Sequence, residues 1–367
     1  MNDNRIKILL ITSRADHGGG PKHIFLLLKY LVDEFDFYIA CPKDEPYFNI
    51  FSDLVGQGKI IQIPHRAFTF TDLTRLNYVI KKNNINIVHS HGKGAGVYGR
   101  LLSRKSKIKC IHTFHGIHIG QYNFISKFLY LRFEKYLSKF TNKFITVSES
   151  EKNEVISLNI SGLNKISLIS NGVEIPGKKV NAGVLSKERL KLVTISRFDF
   201  AKNSEFIISI FNEIKKKGML NKFEMQFIGD GPELEKIKHL SEQNGLSYNF
   251  KFTGFVNSTA EHLVDSFCYI STSRWEGLPI GIMEAMSVGL PVIATNVSGN
   301  RDLVEHSVNG FLYDSDKPGE AANYIIELAG NIEKWKQYSA NAISKIEENY
   351  SAEVMAEKTK QLYLNTL

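Results

Sequence analysis

The chain has 367 residues, 43% hydrophobic and 23% charged, with a formal net charge of +8. That length suits two to three domains of ~100–200 residues each, and no run of about 18 apolar residues offers a membrane span. Cys41, Cys110 and Cys268 are widely spaced, each within or beside an apolar run, which argues against a disulfide framework or a zinc site and for a reducing cytosol. The charge is uneven. Residues 1–180 carry 26 Lys and Arg against 14 Asp and Glu, a balance of +12, whereas residues 181–367 carry 20 against 24, a balance of −4. A basic first half can attract anionic lipid, a diphosphate-linked acceptor or nucleic acid. No zinc finger, RNP motif or helix-turn-helix stands in the sequence, so nucleic acid is not expected as a partner.

Short apolar strands alternate with amphipathic helices, the pattern of parallel sheets covered on both faces. The first half reads as strands over 7–13, 37–41, 59–63, 85–90, 108–113, 143–147 and 165–169. Between them fall helices over 21–34, 47–56, 71–83, 93–103 and 124–140, and one capped by Ser148 with Glu151. The start runs almost directly into the first strand and reads without a signal peptide. Residues 174–190 hold neither period, and Pro176, Gly177 and Gly183 place a linker there. The second half restarts with strands over 192–196, 224–228, 249–253, 268–272 and 291–295. Its helices are expected over 204–217 and 233–242, after a cap at Ser258 with Glu261, after Glu276, over 301–306 and over 319–328. The segment 351–367 reads as a closing helix. The domains are therefore set at 1–173 and 191–350, with 174–190 between them. Each candidate motif follows a predicted strand, where ligands of doubly wound sheets bind.

The most informative stretch is Arg274-Trp-Glu-Gly-Leu-Pro-Ile-Gly-Ile-Met-Glu284, running on to the buried strand before Asn296. Glu276 and Glu284 stand eight residues apart, with Gly277, Pro279, Ile280 and Gly281 between them. A Gly-rich turn entering a helix offers free backbone N–H groups and a positive dipole end, which suit a phosphate. A carboxylate there would repel phosphate but can accept hydrogen bonds from sugar hydroxyls. Together they describe a nucleotide-sugar pocket. The plain alternative makes Ser273-x-x-Glu276 a capping box. In the first half, Ser13-Arg-Ala-Asp-His-Gly18-Gly19-Gly20-Pro21 lets the backbone approach an anion at a helix start. It lacks the G-x-G-x-x-G spacing of a dinucleotide fingerprint. His112, His115 and His118 recur at intervals of three; they invite a zinc reading, but the spacing suits a helix face poorly because Gly116 intervenes. Asp314-Ser315-Asp316 has the letters of a metal motif but lies in a late polar loop and reads as surface.

These residues resemble the retaining glycosyltransferases with an E-x(7)-E signature, the family 4 / group 1 type, in its polysaccharide-biosynthesis branch. The resemblance covers nearly the whole chain. It implies an α/β GT-B fold, two Rossmann-like domains whose parallel sheets face a central cleft, with the last helix crossing back onto the first domain. It implies that Glu284 holds the ribose hydroxyls and that Glu276 touches a hydroxyl of the donor sugar. Ser196-Arg197-Phe-Asp-Phe-Ala-Lys202-Asn203 resembles the family's G-R-x(4)-K-N motif, with Ser196 in place of the usual glycine. Arg197 and Lys202 would then neutralise the diphosphate, a rigid fork beside a compact point charge. Thr113-Phe114-His115-Gly116 resembles the T-x-H-G turn whose histidine reaches the donor sugar, with His91-Gly92 lining the same cleft and His112 and His118 as packing or acceptor residues. Gly19 and Gly20 would lie against the donor, and Phe255 and Val256, after Gly254, would meet the nucleobase.

The implied activity is retaining transfer of a hexosyl or N-acetylhexosaminyl group from a nucleoside-diphosphate sugar, expected to be a UDP-sugar, to an acceptor hydroxyl. A lipid-linked glycan of capsule, exopolysaccharide or O-antigen synthesis is the expected acceptor. No metal or other cofactor is expected, since cations take the metal's place. The basic helix near 124–140, with Arg132, Lys135 and Lys139 beside Tyr130, Phe133, Leu137 and Phe140, can lie in a membrane interface or pack on the core. The expected location is cytoplasmic, with peripheral contact at the inner face of the cell membrane. A nucleotide-sugar epimerase of the same architecture and a non-catalytic nucleotide-sugar binder are the competing readings.

Overall fold

A computed structural model describes residues 5–117, 122–256 and 258–367. It consists of two compact units, one drawn from Met1–Gly172 with Ala352–Leu367 and the other from Val173–Ser351. Unit one is built on seven parallel strands: β1 (Lys7–Thr12), β2 (Asp36–Cys41), β3 (Ile60–Gln62), β4 (Ile87–His91), β5 (Lys109–Thr113), β6 (Lys143–Thr146) and β7 (Ile166–Leu168). Their order is β3-β2-β1-β4-β5-β6-β7. Unit two holds six more, β8 (Leu190–Ile195), β9 (Phe223–Ile228), β10 (Phe250–Gly254), β11 (Cys268–Ser271), β12 (Val292–Thr295) and β13 (Gly310–Tyr313), in the order β10-β9-β8-β11-β12-β13. All the ladders are parallel. Both sheets are doubly wound, so each has one point where the strand order reverses: between β1 and β4, and between β8 and β11.

The strands are short, and those inside each sheet are nearly fully buried because helices cover both faces, whereas the edge strands β3, β7 and β10 are only partly buried. In unit one, Ile8, Leu10 and Ile39 pack with Ile24 and Leu27 of the helix Gly19–Leu31 on one side. Leu9, Ile11 and Val88 pack with Leu76 and Tyr98 on the other. The closing helix, Ala352–Leu364, belongs to the first of these layers: Met355, Ala356, Leu362 and Tyr363 are buried in it. Tyr363 Oη also pairs with the buried His89 Nδ1 at 2.7 Å. Cys41, Cys110 and Cys268 are free and buried.

Three local expectations need correction. The helix Ile332–Asn349 was not anticipated, although Trp335, Tyr338, Ala342 and Ile346 form its buried stripe. Strand β13 was also not anticipated. It has only four residues, and it starts at a glycine because a Cβ at Gly310 would stand 2.1 Å from Val292 O of the neighbouring strand. Ser258 does not cap the helix Ala260–Val264; Thr259 precedes it without a side-chain cap bond. Val173 and the stretch after it count with unit two, and Val180 N–H bonds Val288 O at 2.8 Å. Among the described residues no helix is long and apolar enough to cross a membrane.

Candidate active site

In unit two the loops after β8 and β11 meet at the strand reversal. A recess there is lined by Ile195 at the end of β8 and Ser196 after it, by Thr272, Ser273 and Glu276 from the second loop, and by Pro279, Gly281 and Ile282 at the start of the next helix. Lys202 reaches into it from the β8 loop. Backbone and side chains stitch the two loops together. Arg274 N–H donates to Ala201 O at 2.8 Å, and Thr272 Oγ1 donates to Lys202 O at 3.0 Å. The Arg274 guanidinium lies 4.1 Å from the Phe200 ring centroid.

The pair at the centre is Lys202 Nζ to Glu276 Oε1, 2.6 Å apart. Ser273 Oγ donates to the same oxygen at 2.6 Å. Ser273-x-x-Glu276 is therefore not a capping box, since the helix begins only at Ile280 and has no side-chain cap. That helix, Ile280–Ser287, follows Pro279, which offers no side-chain cap, and Pro279 and Gly281 stand at the edge of the recess. A Cβ at Gly281 would stand 2.6 Å from Tyr269 Oη and 2.9 Å from Ile195 O. Glycine is thus what lets the helix start approach β8. Tyr269, whose burial pushes its phenol up in pKa, donates to Ile195 O at 3.0 Å and accepts from Ile195 N–H at 3.2 Å.

The remaining expected residues of unit two take separate places. Glu284 lies one helix turn on from the recess, where Thr259 Oγ1 donates to its Oε2 at 3.1 Å. Phe255, about half exposed, and Val256 follow the edge strand β10 and do not line the recess. Because Thr259 stands four residues after Phe255, the Glu284 contact ties the β10 loop to this helix. Arg197 is turned onto Asp199, with Nη2 to Oδ2 at 2.8 Å, and its side chain is nearly half exposed. Asp199 also accepts from Lys202 N–H through Oδ1 at 3.1 Å, so it shapes the loop between the two cations.

In unit one, Gly19 and Gly20 open the helix Gly19–Leu31, again without a side-chain cap. A Cβ at Gly20 would meet nothing within 4 Å. Arg14 folds over the loop, pairing with Asp16 at 2.7 Å and donating to His17 O at 2.9 Å. His115 sits at φ +57° and Gly116 at φ +103°, a left-handed turn that a non-glycine residue adopts only when its surroundings fix it. Two contacts do so. Glu151 takes the Gly116 N–H, and its other oxygen takes Val147 N–H at 2.7 Å. His91 Nδ1 lies 3.2 Å from His115 Nε2, so one of these rings donates to the other. Ser148 Oγ does accept from Glu151 N–H, as a cap should. The carboxylate in addition serves the histidine turn.

His23 joins this cluster, its ring centroid 4.9 Å from that of His115. His23, His91 and His115 bring three potential ligand atoms within 4.8 Å of one another, as do Asp16, Asp44 and His65. The zinc reading set aside for His112, His115 and His118 concerned a different trio from this one. His112 bonds Ser90 Oγ at 3.0 Å and packs on Phe114 and Phe144, and His118 lies outside the described residues. Asp314 pairs with Lys317 at 2.7 Å, a surface contact.

Burial holds His23 down to about 4 and His89, His91, His112 and His115 well below their ordinary value, so the cluster is neutral near pH 7. The unfolded chain takes up protons near pH 6.5, and the native chain takes them up only at lower pH. Stability is therefore complete above about pH 6.5 and falls as the pH drops below it. His23 alone contributes on the order of 3 kcal/mol across that window. Urea unfolding at pH 7.5 and pH 5 should show a clearly lower midpoint at pH 5, and a His23→Gln variant should show a smaller drop.

Comparison with known proteins agrees with this architecture. Residues 17–175 match the family model described as Glycosyltransferase Family 4, and residues 178–345 match that of Glycosyl transferases group 1. The chain belongs to this group 1 / family 4 class and is a glycosyltransferase of GT-B fold. It is 25% identical to the Escherichia coli UDP-Gal:α-D-GlcNAc-diphosphoundecaprenol α-1,3-galactosyltransferase, over 91% of this chain and 90% of that one. It is 28% identical to the Staphylococcus aureus capsular polysaccharide biosynthesis glycosyltransferase CapH, over 84% and 85% of the two chains. Among solved structures, HepE of Anabaena in complex with UDP and glucose superposes with a TM-score of 0.85 at 18% identity, covering 98% of this chain and all of that one.

Proposed function

We propose that the protein transfers a hexosyl group, with retention, from a UDP-sugar to a hydroxyl of a lipid-linked glycan in surface-polysaccharide assembly, without a metal ion. The observation that carries this reading is the recess in which Lys202, Glu276 and the open N-terminus of Ile280–Ser287 converge at the strand reversal. The dipole end and Lys202 favour a diphosphate. Arg197 supplies a second cation once it leaves Asp199. Glu276 accepts a hydrogen bond from the sugar and Glu284 from the ribose. His115, neutral and fixed by Glu151 and His91, bonds a sugar hydroxyl. The donor and acceptor classes also find support in the E. coli relative, whose name gives UDP-Gal as donor and a diphosphoundecaprenol-linked sugar as acceptor.

In the proposed step the bond between the anomeric carbon and the diphosphate oxygen breaks as the acceptor oxygen attacks from the same face. The acceptor's proton passes to the departing phosphate. Charge develops on that phosphate in the transition state, where fixed cations act most strongly. The test is a thermal-shift screen of UDP-, GDP- and ADP-sugars, followed by turnover of the best donor. A UDP-sugar at 100 times its dissociation constant should stabilise the protein by about 2.7 kcal/mol. Glu284→Ala should abolish most of that shift. Equal shifts from all three nucleotides, or an unchanged shift in Glu284→Ala, would sink the assignment.

A further inference from the structure

The helix Phe124–Ser138 is built unlike its neighbours. Only Glu134 and Leu137 of its residues are buried, whereas the shorter helix Phe206–Lys216 buries five apolar side chains. Phe124 is 86% exposed, Ile125 69%, Phe128 52%, Leu129 61%, Phe133 43% and Tyr136 40%. Their spacing of three, four or a single step from one turn to the next places them along one side of the helix. A contiguous apolar stripe of this kind marks an interaction surface.

The stripe is held firmly. Asn123 Oδ1 caps the helix through Ser126 N–H at 2.8 Å. Arg100, fully buried, grips Glu134 with two bonds, at 2.5 and 3.2 Å. Arg104 bonds the Tyr136 hydroxyl and lies 5.2 Å from the Phe140 ring centroid. Lys93 Nζ stands 4.7 Å from the Tyr130 ring centroid on the inner side.

We propose that this face docks the protein on an anionic lipid bilayer. Charge decides the partner. Lys127, Arg132, Lys135 and Lys139 are all exposed around the stripe. The one acid in the helix, Glu134, is turned inward and neutralised by Arg100, so the outward face carries positive charge alone. A second copy of this chain would bring the same cations against themselves, which repels. An anionic headgroup layer accepts the cations while the aromatic and aliphatic side chains enter the acyl boundary. Arg132, 5.7 Å from the Phe128 ring centroid, is placed to reach headgroups from beside a ring that would enter the acyl boundary. The proposal does not depend on the transfer reaction, because lipid binding is read without a substrate.

The experiment is co-sedimentation of the full chain with vesicles of phosphatidylcholine containing one-third phosphatidylglycerol, against vesicles of phosphatidylcholine alone. Binding is expected to the anionic vesicles, at least about tenfold weaker to the neutral ones, and weaker as salt rises. Lys127→Gln with Arg132→Gln and Lys135→Gln should lower the partition about fivefold for each charge removed. Phe124→Ser with Phe128→Ser and Leu129→Ser should lower it further at fixed charge. Lys216→Gln, on the other unit, should change nothing. All sites are exposed, and melting curves verify that the variants are folded. Three results would each overturn the proposal: no binding by the parent chain, equal binding by both triple variants, or a concentration-dependent dimer that the serine variant abolishes.

Discussion

Lys202→Met is expected to lower kcat/KM for the preferred donor by about 10²–10³-fold, the usual loss when one fixed group is removed from a developing oxyanion. Methionine keeps the unbranched stem of the side chain and removes its charged terminal group. The loss should fall mainly on kcat, since the leaving phosphate gains charge as the reaction proceeds. A second role has to be separated from this one. Lys202 also holds Glu276 at 2.6 Å, so its removal can misplace that carboxylate. Glu276→Gln and the double variant separate the roles. If Lys202 acts only by placing Glu276, the double variant is no worse than Glu276→Gln alone. If Lys202 also meets the phosphate, the double variant is worse by most of the Lys202→Met loss. Normal turnover by Lys202→Met would remove the diphosphate from this recess.

Glu134→Ala should be the most destabilising single change outside the strands. It leaves Arg100, with no exposed surface, as an unpaired buried cation. Breaking a buried pair from one side costs about 3–5 kcal/mol. Among the described residues, Arg100 then keeps its Nε bond to Gly96 O at 2.8 Å. The companion Arg100→Met with Glu134→Leu replaces both charges by apolar groups and should recover much of the loss. Chemical denaturation of the three variants measures this. A Glu134→Ala protein as stable as the parent would mean that water or another carboxylate already reaches Arg100.

The sheet architecture was legible because the strands are short apolar runs alternating with helical periods, and the β-strand ends could be placed from the motifs that follow them. Ile332–Asn349 escaped notice because its stripe, Trp335, Tyr338, Ala342 and Ile346, is diluted by small and polar residues such as Ser339, Ala340, Asn341 and Ser344. At the candidate site the residue types were readable but their pairings were not. Lys202 and Glu276 stand 74 residues apart and meet only because β8 and β11 are neighbours in the sheet. Asp199 was visible beside Arg197, yet nothing in the spacing reveals that it pairs with that cation. Glu151 was read as a cap from its distance to Ser148; that its carboxylate fixes the His115 turn depends on β5 lying beside β6. His23 carried no sequence signal, because its partners come from β4 and the loop after β5.

The helix Ala352–Leu364 has a consequence for how the polypeptide is made. Its Met355, Leu362 and Tyr363 fill the same layer as Ile8, Leu10 and Ile24, although more than 300 residues of translation separate those groups. Unit two can close as soon as its own segment has left the ribosome. Unit one, begun earlier, must wait with an apolar flank uncovered until residues 352–364 have been made. The half started first is thus finished last, and that interval is when a chaperone would have most to hold.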